Sequence, residues 1–312
     1  MSTISSPMHL GLLSCSNPPD SSSVVSEQVE AVTGIERIRR AAEARGHQVS
    51  RFYEPKFCFQ YEGTVCQAWH DGVPFVAPDV MVYRPNFIEE PSLHTYVSER
   101  LMARGVAVVN GTPKILEIKN KIIQHMRLAE AGIPIPRFAL AKDPEAAKGA
   151  VEALGFPLIV KVSFGTHGKG VFYTQNWETF QPIADYLDVR DGNPIIIEEF
   201  IAAAQGKDIR AFVVGGRVVA SMERTARQKD IRANASIGGT GASIILSQED
   251  QVLAIRAAEV FGLEIAGVDL IRSERGTLVL EVNANPGFRE LEACTGIDVA
   301  TAIVEYAEKK GK

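Results

Sequence analysis

The chain has 312 residues, a formal net charge of -5, and 46% hydrophobic against 23% charged residues. That length suits two or three packed subdomains rather than one core, and the acidic balance argues against a general nucleic-acid binder, which carries a basic excess. No apolar run reaches the roughly 20 residues of a membrane helix. Cys15, Cys58, Cys66 and Cys294 lack metal-ligand spacing; Cys58 and Cys66 either meet across a hairpin or stay reduced, and reduced thiols are the expected state. The polar start before Met8 lacks the basic segment of a secretory leader, so the expected location is the cytoplasm.

In chain order, His9–Cys15 reads as a strand. Glu27–Arg45 reads as a helix, because Val29, Val32, Ile35, Ile38 and Ala42 recur every three or four residues, with Gly46 at the C-cap place. His47–Tyr53 alternates as a strand. Phe57–Gln60 and Val65–Trp69 predict a hairpin, Val80–Tyr83 a buried strand, Leu93–Arg104 a helix and Val106–Val109 a last strand before the Asn110-Gly111 turn. Residues 1–112 are expected to form one α/β domain. Residues 113–200 are expected to hold a single long helix, Lys114–Ala131, then strand Ile133–Leu140, helix Asp143–Leu154, strand Leu158–Ser163, helix Trp177–Leu187 and strand Ile195–Phe200. Residues 201–312 are expected to carry strands Asp208–Val214, Arg217–Glu223, Ile265–Arg272 and Thr277–Val282, with helices Gln248–Phe261 and Ala300–Lys309.

Five segments carry chemistry. Gly165-Thr166-His167-Gly168-Lys169-Gly170 is either a phosphate cradle of close backbone N–H groups or a plain hairpin turn. It matches neither the Walker nor the dinucleotide glycine pattern. Lys161, inside Leu-Ile-Val-Lys-Val, either faces an anion or snorkels from an edge strand; Lys121 taken alone reads as a solvated helix lysine. Asp269 lies in an apolar strand, and Glu281 and Asn283 share one face of another. Paired, these strands would gather three oxygen donors, as magnesium at nucleotide phosphates requires, or else a hydrogen-bonded structural set. Glu198, Glu199, Asp208 and Arg210 end or begin strands, where acids either accept from a nucleoside or are solvated. Glu223–Asn234, with Arg224, Arg227, Lys229 and Arg232, is either a solvated charged loop or a clamp for phosphate and carboxylate.

In this order the segments resemble the ATP-grasp superfamily, and most of all its RimK-type ligases, which add glutamate to the C-terminus of a ribosomal protein. The resemblance spans Lys121 to Ile297 and is dense in VKVSFGTHGKGV, in Glu199–Gly239 and in AGVDLIRSERGTLVLEVNANPGFRELEACTGID. Before it, Val80–Pro85 is similar to one strand of the family's N-terminal domain. The resemblance implies an α/β ATP-grasp fold with nucleotide bound between central and C-terminal subdomains. It implies that Lys121 and Lys161 hold phosphates under a lid formed by Gly165, Thr166, Gly168, Lys169 and Gly170. Glu199 and the Phe200 backbone would meet adenine, and Asp208 the ribose. Asp269, Glu281 and Asn283 would bind two magnesium ions, replaceable by manganese. Arg210, Arg224, Arg232 and Asn234 would face the γ-phosphate and acceptor carboxylate. The implied partners are ATP, an amino acid (glutamate foremost) and a carboxylate on a protein C-terminus, peptide or small metabolite, with no nucleic acid or membrane. Analogy adds a homodimer or homotetramer. The rivals are a small-molecule ligase of the same fold and a non-catalytic nucleotide binder.

Overall fold

The computed structural model describes residues 6–15, 26–85, 95–111, 114–163, 170–226 and 240–312. The first strand, β1 (His9–Ser14), is followed by α1 (Ser26–Ala44) and β2 (Gln48–Tyr53). A small antiparallel sheet of β3 (Phe57–Glu62), β4 (Val65–His70) and β5 (Val73–Pro74) precedes β6 (Val80–Arg84), α2 (Tyr96–Ala103) and β7 (Val108–Val109). The large N-terminal sheet is parallel in the order β2-β1-β6-β7. In the hairpin Cys58 pairs with Trp69 and Cys66 with Tyr61, so the two thiols do not face each other, and every cysteine is free.

The expected single helix over 114–131 is two helices, α3 (Ile115–Lys119) and α4 (Lys121–Glu130). Asn120 breaks them with extended backbone (φ -86°, ψ 107°), and its side chain accepts from the amides of Ile122 and Ile123. This is N-capping: a short polar side chain satisfies donors that have no partner in the first turn. It starts a new helix at Lys121. The strand expected over 133–140 shrinks to β8 (Phe138–Ala141), because Pro134 and Pro136 remove ladder donors before it. The helix expected over 143–154 starts later, as α5 (Lys148–Leu154), after successive turns.

Next come β9 (Leu158–Val162), β10 (Val171–Thr174), α6 (Trp177–Asp191) and β11 (Ile195–Glu199). They complete an antiparallel central sheet ordered β10-β9-β11-β8. Leu158, Val160, Ile195 and Ile197 pack on Val151 and Phe180 in a core of their own. The opposite, even-spaced positions of the two strands, Lys161 and Glu198 among them, therefore face away from those helices.

The C-terminal sheet is β14-β13-β12-β15-β16, antiparallel throughout. Its strands are β12 (Lys207–Val214), β13 (Arg217–Thr225), β14 (Thr240–Ser243), β15 (Ile265–Ser273) and β16 (Gly276–Asn283), with α7 (Gln248–Val260) before β15. A bulge sets Asp269 opposite Glu281 but Leu270 opposite Val279, so Leu280 is the extra residue. Val279 and Val282, three apart, can then both join one core while Glu281 points the other way. The chain closes with α8 (Arg289–Thr295) and α9 (Val299–Lys310); α8 is absent from the sequence reading. Both helices pack with α1, and one core joins Leu10, Leu12, Val80 and Val82 of the N-terminal sheet to Phe212, Ile265, Phe288 and Ile303.

Replacing Asn120 with alanine removes the cap and is expected to cost about 1 kcal/mol of stability, read as a lower urea midpoint at unchanged slope. An unchanged midpoint would show that the cap contributes nothing.

Candidate active site

One face of the C-terminal sheet carries an alternating array of charge. The ladders set Asp208 opposite Arg224, Arg210 opposite Asp269, Asp269 opposite Glu281 and Gly267 opposite Asn283. Arg224 grips Asp208 with both ends of its fork, at 2.6 and 2.8 Å, and reaches Asp269 Oδ2 at 3.0 Å. Arg210 makes a second fork on Asp269, with Nη2 at 2.9 Å from Oδ2 and Nε on Oδ1. Arg224 and Asp269 are buried, at 4% and 7% exposure. Buried charges persist only when paired and hydrogen-bonded, and these are. Gly267 makes the packing possible: a Cβ there would sit 2.6 Å from Pro286 Cβ and 3.2 Å from Arg210 Cδ.

The carboxyls respond to that array. Burial alone would raise Asp269, but the guanidinium charges of Arg210 and Arg224 win and hold it well below the carboxylate range. Burial pushes Asp208 up beyond what Arg224 takes back, and the Asp269 charge adds to the rise. Burial also acts against ionised Glu281, yet the Lys121 ammonium at 2.7 Å, with help from Lys161, holds its carboxyl down.

The facing side comes from the central sheet and α4. The Lys121 amide donates to the Ser163 carbonyl at 3.0 Å, which fixes the helix start to the end of β9. Three residues on, Gln124 is 1% exposed and clips α4 to β16: its Oε1 accepts from Val282 N at 2.8 Å and its Nε2 donates to Val282 O at 2.9 Å. The Lys121–Glu281 pair is thus set by main-chain contacts on either side. Lys161 Nζ lies 2.6 Å from Glu198 Oε2, and His125 bonds the other oxygen of the same carboxylate. Burial opposes the Glu198 charge, but Lys161 and His125 bring its carboxyl to about 2.

Glu199, next along the strand, points the opposite way. Its carboxylate accepts from Arg137 N and Nε, both at 2.8 Å, and from Arg275 of the β15–β16 turn. Burial resists ionisation there, while Arg275 and Arg137 hold the carboxyl at about 2. The Phe200 amide donates to Pro157 O at 3.2 Å. Neither the Glu199 side chain nor the Phe200 N–H is therefore turned toward Lys161.

Of the residues singled out from sequence, Lys121, Lys161, Asp208, Arg210, Arg224, Asp269, Glu281 and Asn283 gather at the junction of the two sheets. Gly170 ends the β9–β10 hairpin at φ +77°, where a Cβ would meet Val162 Cγ2 at 2.4 Å. Gly165, Thr166, Gly168, Lys169, Arg232 and Asn234 lie outside the described residues. Sequence reasoning missed Gln124, His125, Arg137 and Arg275. Only Asn120 before Lys121 offered a local signal, as an N-cap residue type.

Among the described residues no three His, Cys, Asp or Glu side chains form a metal-holding group; the candidate set here is two carboxylates and an amide. Its chemistry fits a hard divalent cation. Asp269 and Glu281 stand directly opposite on adjacent strands, balanced in this structure by Arg210, Arg224 and Lys121, and their oxygens with that of Asn283 are the hard donors such a cation takes.

The architecture matches solved structures along its whole length. The ATP-grasp ligase PsnB, solved with minimal precursor, Mg and ADP, aligns with a TM-score of 0.73 at 20% identity, over 97% of this chain and 98% of that one. D-alanine–D-alanine ligase from Bacillus anthracis, complexed with ATP, aligns with a TM-score of 0.66 at 14% identity, over 97% of each chain. The fold is ATP-grasp. The profile of the RimK-like ATP-grasp domain matches residues 118–307. A relative named probable alpha-L-glutamate ligase, from Stenotrophomonas maltophilia (strain K279a), is 37% identical over 278 residues, 88% of this chain and 94% of its own. A protein of the same name from Legionella pneumophila (strain Corby) is 34% identical, over 88% and 91% of the two chains. This chain belongs to the RimK-like ATP-grasp family and is an ATP-grasp ligase. Among the described residues no helix is long and apolar enough to cross a membrane.

Glu198 and Glu199 stand at about 2 in the folded chain against an ordinary 4.5. Between those values the unfolded chain binds the protons and the native one does not, so stability rises with pH there. The stability these two carboxylates contribute is therefore expected to be full above about pH 4.5 and to fall as pH drops toward 2. Glu198→Gln should remove up to about 1.4 kcal/mol per pH unit from that slope. Urea midpoints measured across this range check it; an unchanged slope in the variant would place Glu198 at its ordinary value.

Proposed function

We propose that this ligase joins a carboxylate to an amine at the expense of ATP, with glutamate as the amine. The acceptor carboxylate belongs to a protein C-terminus, a peptide or a small metabolite. The observation that carries the reading is the junction itself: Lys121 and Lys161 from one side face Asp269, Glu281 and the two arginines on the other. Relatives at 34–37% identity bear the name of probable alpha-L-glutamate ligases, which supports glutamate as the added group.

The chemistry follows from the groups present. A carboxylate does not form an amide in water unaided, because hydroxide is a poor leaving group. The acceptor carboxylate attacks the γ-phosphorus of ATP, the bond to the bridging oxygen breaks, and ADP departs, leaving an acyl phosphate. The neutral amine of glutamate then attacks the acyl carbon; the C–O bond to phosphate breaks, the amine loses a proton, and an amide and phosphate result. Lys121 and Lys161 hold phosphate oxygens in line, and Arg210 and Arg224 stabilise charge on the transferred phosphoryl and the acceptor carboxylate. Asp269, Glu281 and Asn283 would hold magnesium, which when bound neutralises phosphate charge. In this reading Asp208, gripped by Arg224, lies toward the ribose. Adenine would be met at the Glu199–Phe200 segment through a main-chain carbonyl, since two arginines hold the Glu199 carboxylate and the Glu199 and Phe200 amides donate to Arg137 O and Pro157 O. Gly165, Thr166, Gly168, Lys169 and Gly170 would close over the phosphates, and Arg232 and Asn234 would complete the anion site.

Asp269→Asn and Glu281→Gln are each expected to abolish glutamate-dependent ADP release while the circular dichroism spectrum stays native. Normal turnover in either would refute the metal assignment. Lys161→Ala is expected to raise the KM for ATP or lower kcat by about 100-fold, the scale of a lost charge-stabilising donor. The acceptor is sought by mass spectrometry of products from ATP, magnesium, each amino acid in turn and a cell extract freed of amino acids. A product heavier by whole glutamyl residues is expected, and products formed only with another amino acid would overturn glutamate.

A further inference from the structure

His125 and Glu198 have no part in the reaction as written, yet both are buried at its edge, at 3% and 2% exposure. His125 sits one turn after Lys121 on α4. Glu198 lies on the face of β11 that carries Lys161 from the neighbouring strand, with its Oε2 at 2.6 Å from Lys161 Nζ. Its Oε1 bonds His125 Nε2. The other ring nitrogen, Nδ1, lies 2.6 Å from the main-chain oxygen of Lys121. A carbonyl only accepts, and so does an ionised carboxylate, so the ring makes both contacts at once only with a hydrogen on each nitrogen. Its surroundings are Phe138 of β8, edge-on at 5.4 Å, Glu198 of β11 with Lys161 of β9 beyond it, and the main chain of its own helix.

Glu198 therefore has two cations where charge balance asks for one. The second solves a difficulty. A phosphate-binding lysine must give its ammonium to the nucleotide, and a buried carboxylate deprived of its sole partner is strongly disfavoured. With Lys161 as the only partner, Glu198 would hold it back from phosphate. We propose that His125 is a positioning residue: it is the standing counter-cation of Glu198, and it leaves the Lys161 ammonium available to the nucleotide. This rests on the assignment of Lys161 to nucleotide phosphate made above. The same contact carries the helix that bears Lys121, because His125 Nδ1 holds the carbonyl of that residue.

Calorimetric titration of the full chain with magnesium-ADP and magnesium-ATP tests this without any acceptor. His125→Ala is expected to weaken nucleotide binding by about tenfold or more, because Lys161 stays with the buried carboxylate. His125→Gln, which keeps a donor without the charge, should weaken it too and stands in if the alanine variant does not fold. The decisive variant is the double one, His125→Ala with Glu198→Gln: a neutral amide does not retain Lys161, so binding should recover to within about threefold of Glu198→Gln alone. A merely structural role for His125 makes the double variant no better than His125→Ala, and that result overturns the proposal, as does wild-type affinity in His125→Ala. Lys161→Ala run alongside separates the two levels. If it binds nucleotide normally, the phosphate assignment itself fails; if it binds weakly while His125→Ala binds normally, only the role of His125 falls.

Discussion

Buried acids need cations, and that need organises the centre of this protein. Asp208, Arg224, Asp269 and Arg210 alternate in sign across three strands, Glu281 takes Lys121 from the facing side, and Glu198 takes Lys161 from the neighbouring strand of its own sheet. Pairing of this kind adds little net stability over apolar packing, but breaking any one pair leaves a stranded charge. The array is best understood as a poised charge distribution. It keeps carboxylates ionised in a protein interior, where they can serve a cation, and keeps lysines and arginines beside them, where they can serve an anion. The geometry rests on the main chain: the Asn120 cap starts α4 at Lys121, Gln124 pins that helix to Val282, and the bulge at Leu280 turns Glu281 to the shared face.

Much of this was legible in the sequence because the deciding residues are out of character with their surroundings. Lys161 and Asp269 interrupt apolar strands, and the period of two put Glu281 and Asn283 on one face before any coordinates. The ATP-grasp fold was legible through the long motif strings. What was not legible depended on contacts distant in the chain. Nothing local announces that Glu198 faces Lys161 while Glu199 turns to Arg137 and Arg275; alternation says they point apart, but only the sheet order says toward what. The apolar spacing of 114–131 runs through Asn120 and so predicts one helix where the Asn120 cap makes two. The apolar content of 133–140 predicts a strand longer than Pro134 and Pro136 permit. The seven residues of α8 are too few for a periodic signal.

Glu199 and Arg275 illustrate how a residue type can mislead. An acid at the end of an apolar strand invites a nucleoside contact, yet here the carboxylate ties the end of the central sheet to the β15–β16 turn. Beside it, Val279 N donates to Pro134 O at 2.8 Å, a second tie between the same two units. The nucleotide contacts proposed for this segment accordingly fall to its main chain.

The N-terminal unit is bound differently. Asn110, at φ +60°, spends its side chain on the main chain of Glu264, Ile265 and Ala284. Arg45 and His47 both grip Glu308, and Arg84 donates to Pro286 O. These links flank a shared apolar core that joins the parallel sheet and the C-terminal sheet into one block. Among the described residues the central sheet, with its separate core, is tied to that block near Pro134, Glu199 and Lys121, and Ile201 just after β11 packs with Leu278. A tilt of the central sheet against that block would change the spacing between Lys161 and the C-terminal sheet, whereas Asp269, Glu281, Arg210 and Arg224, the groups proposed for metal and acceptor, share one sheet and would keep their mutual spacing.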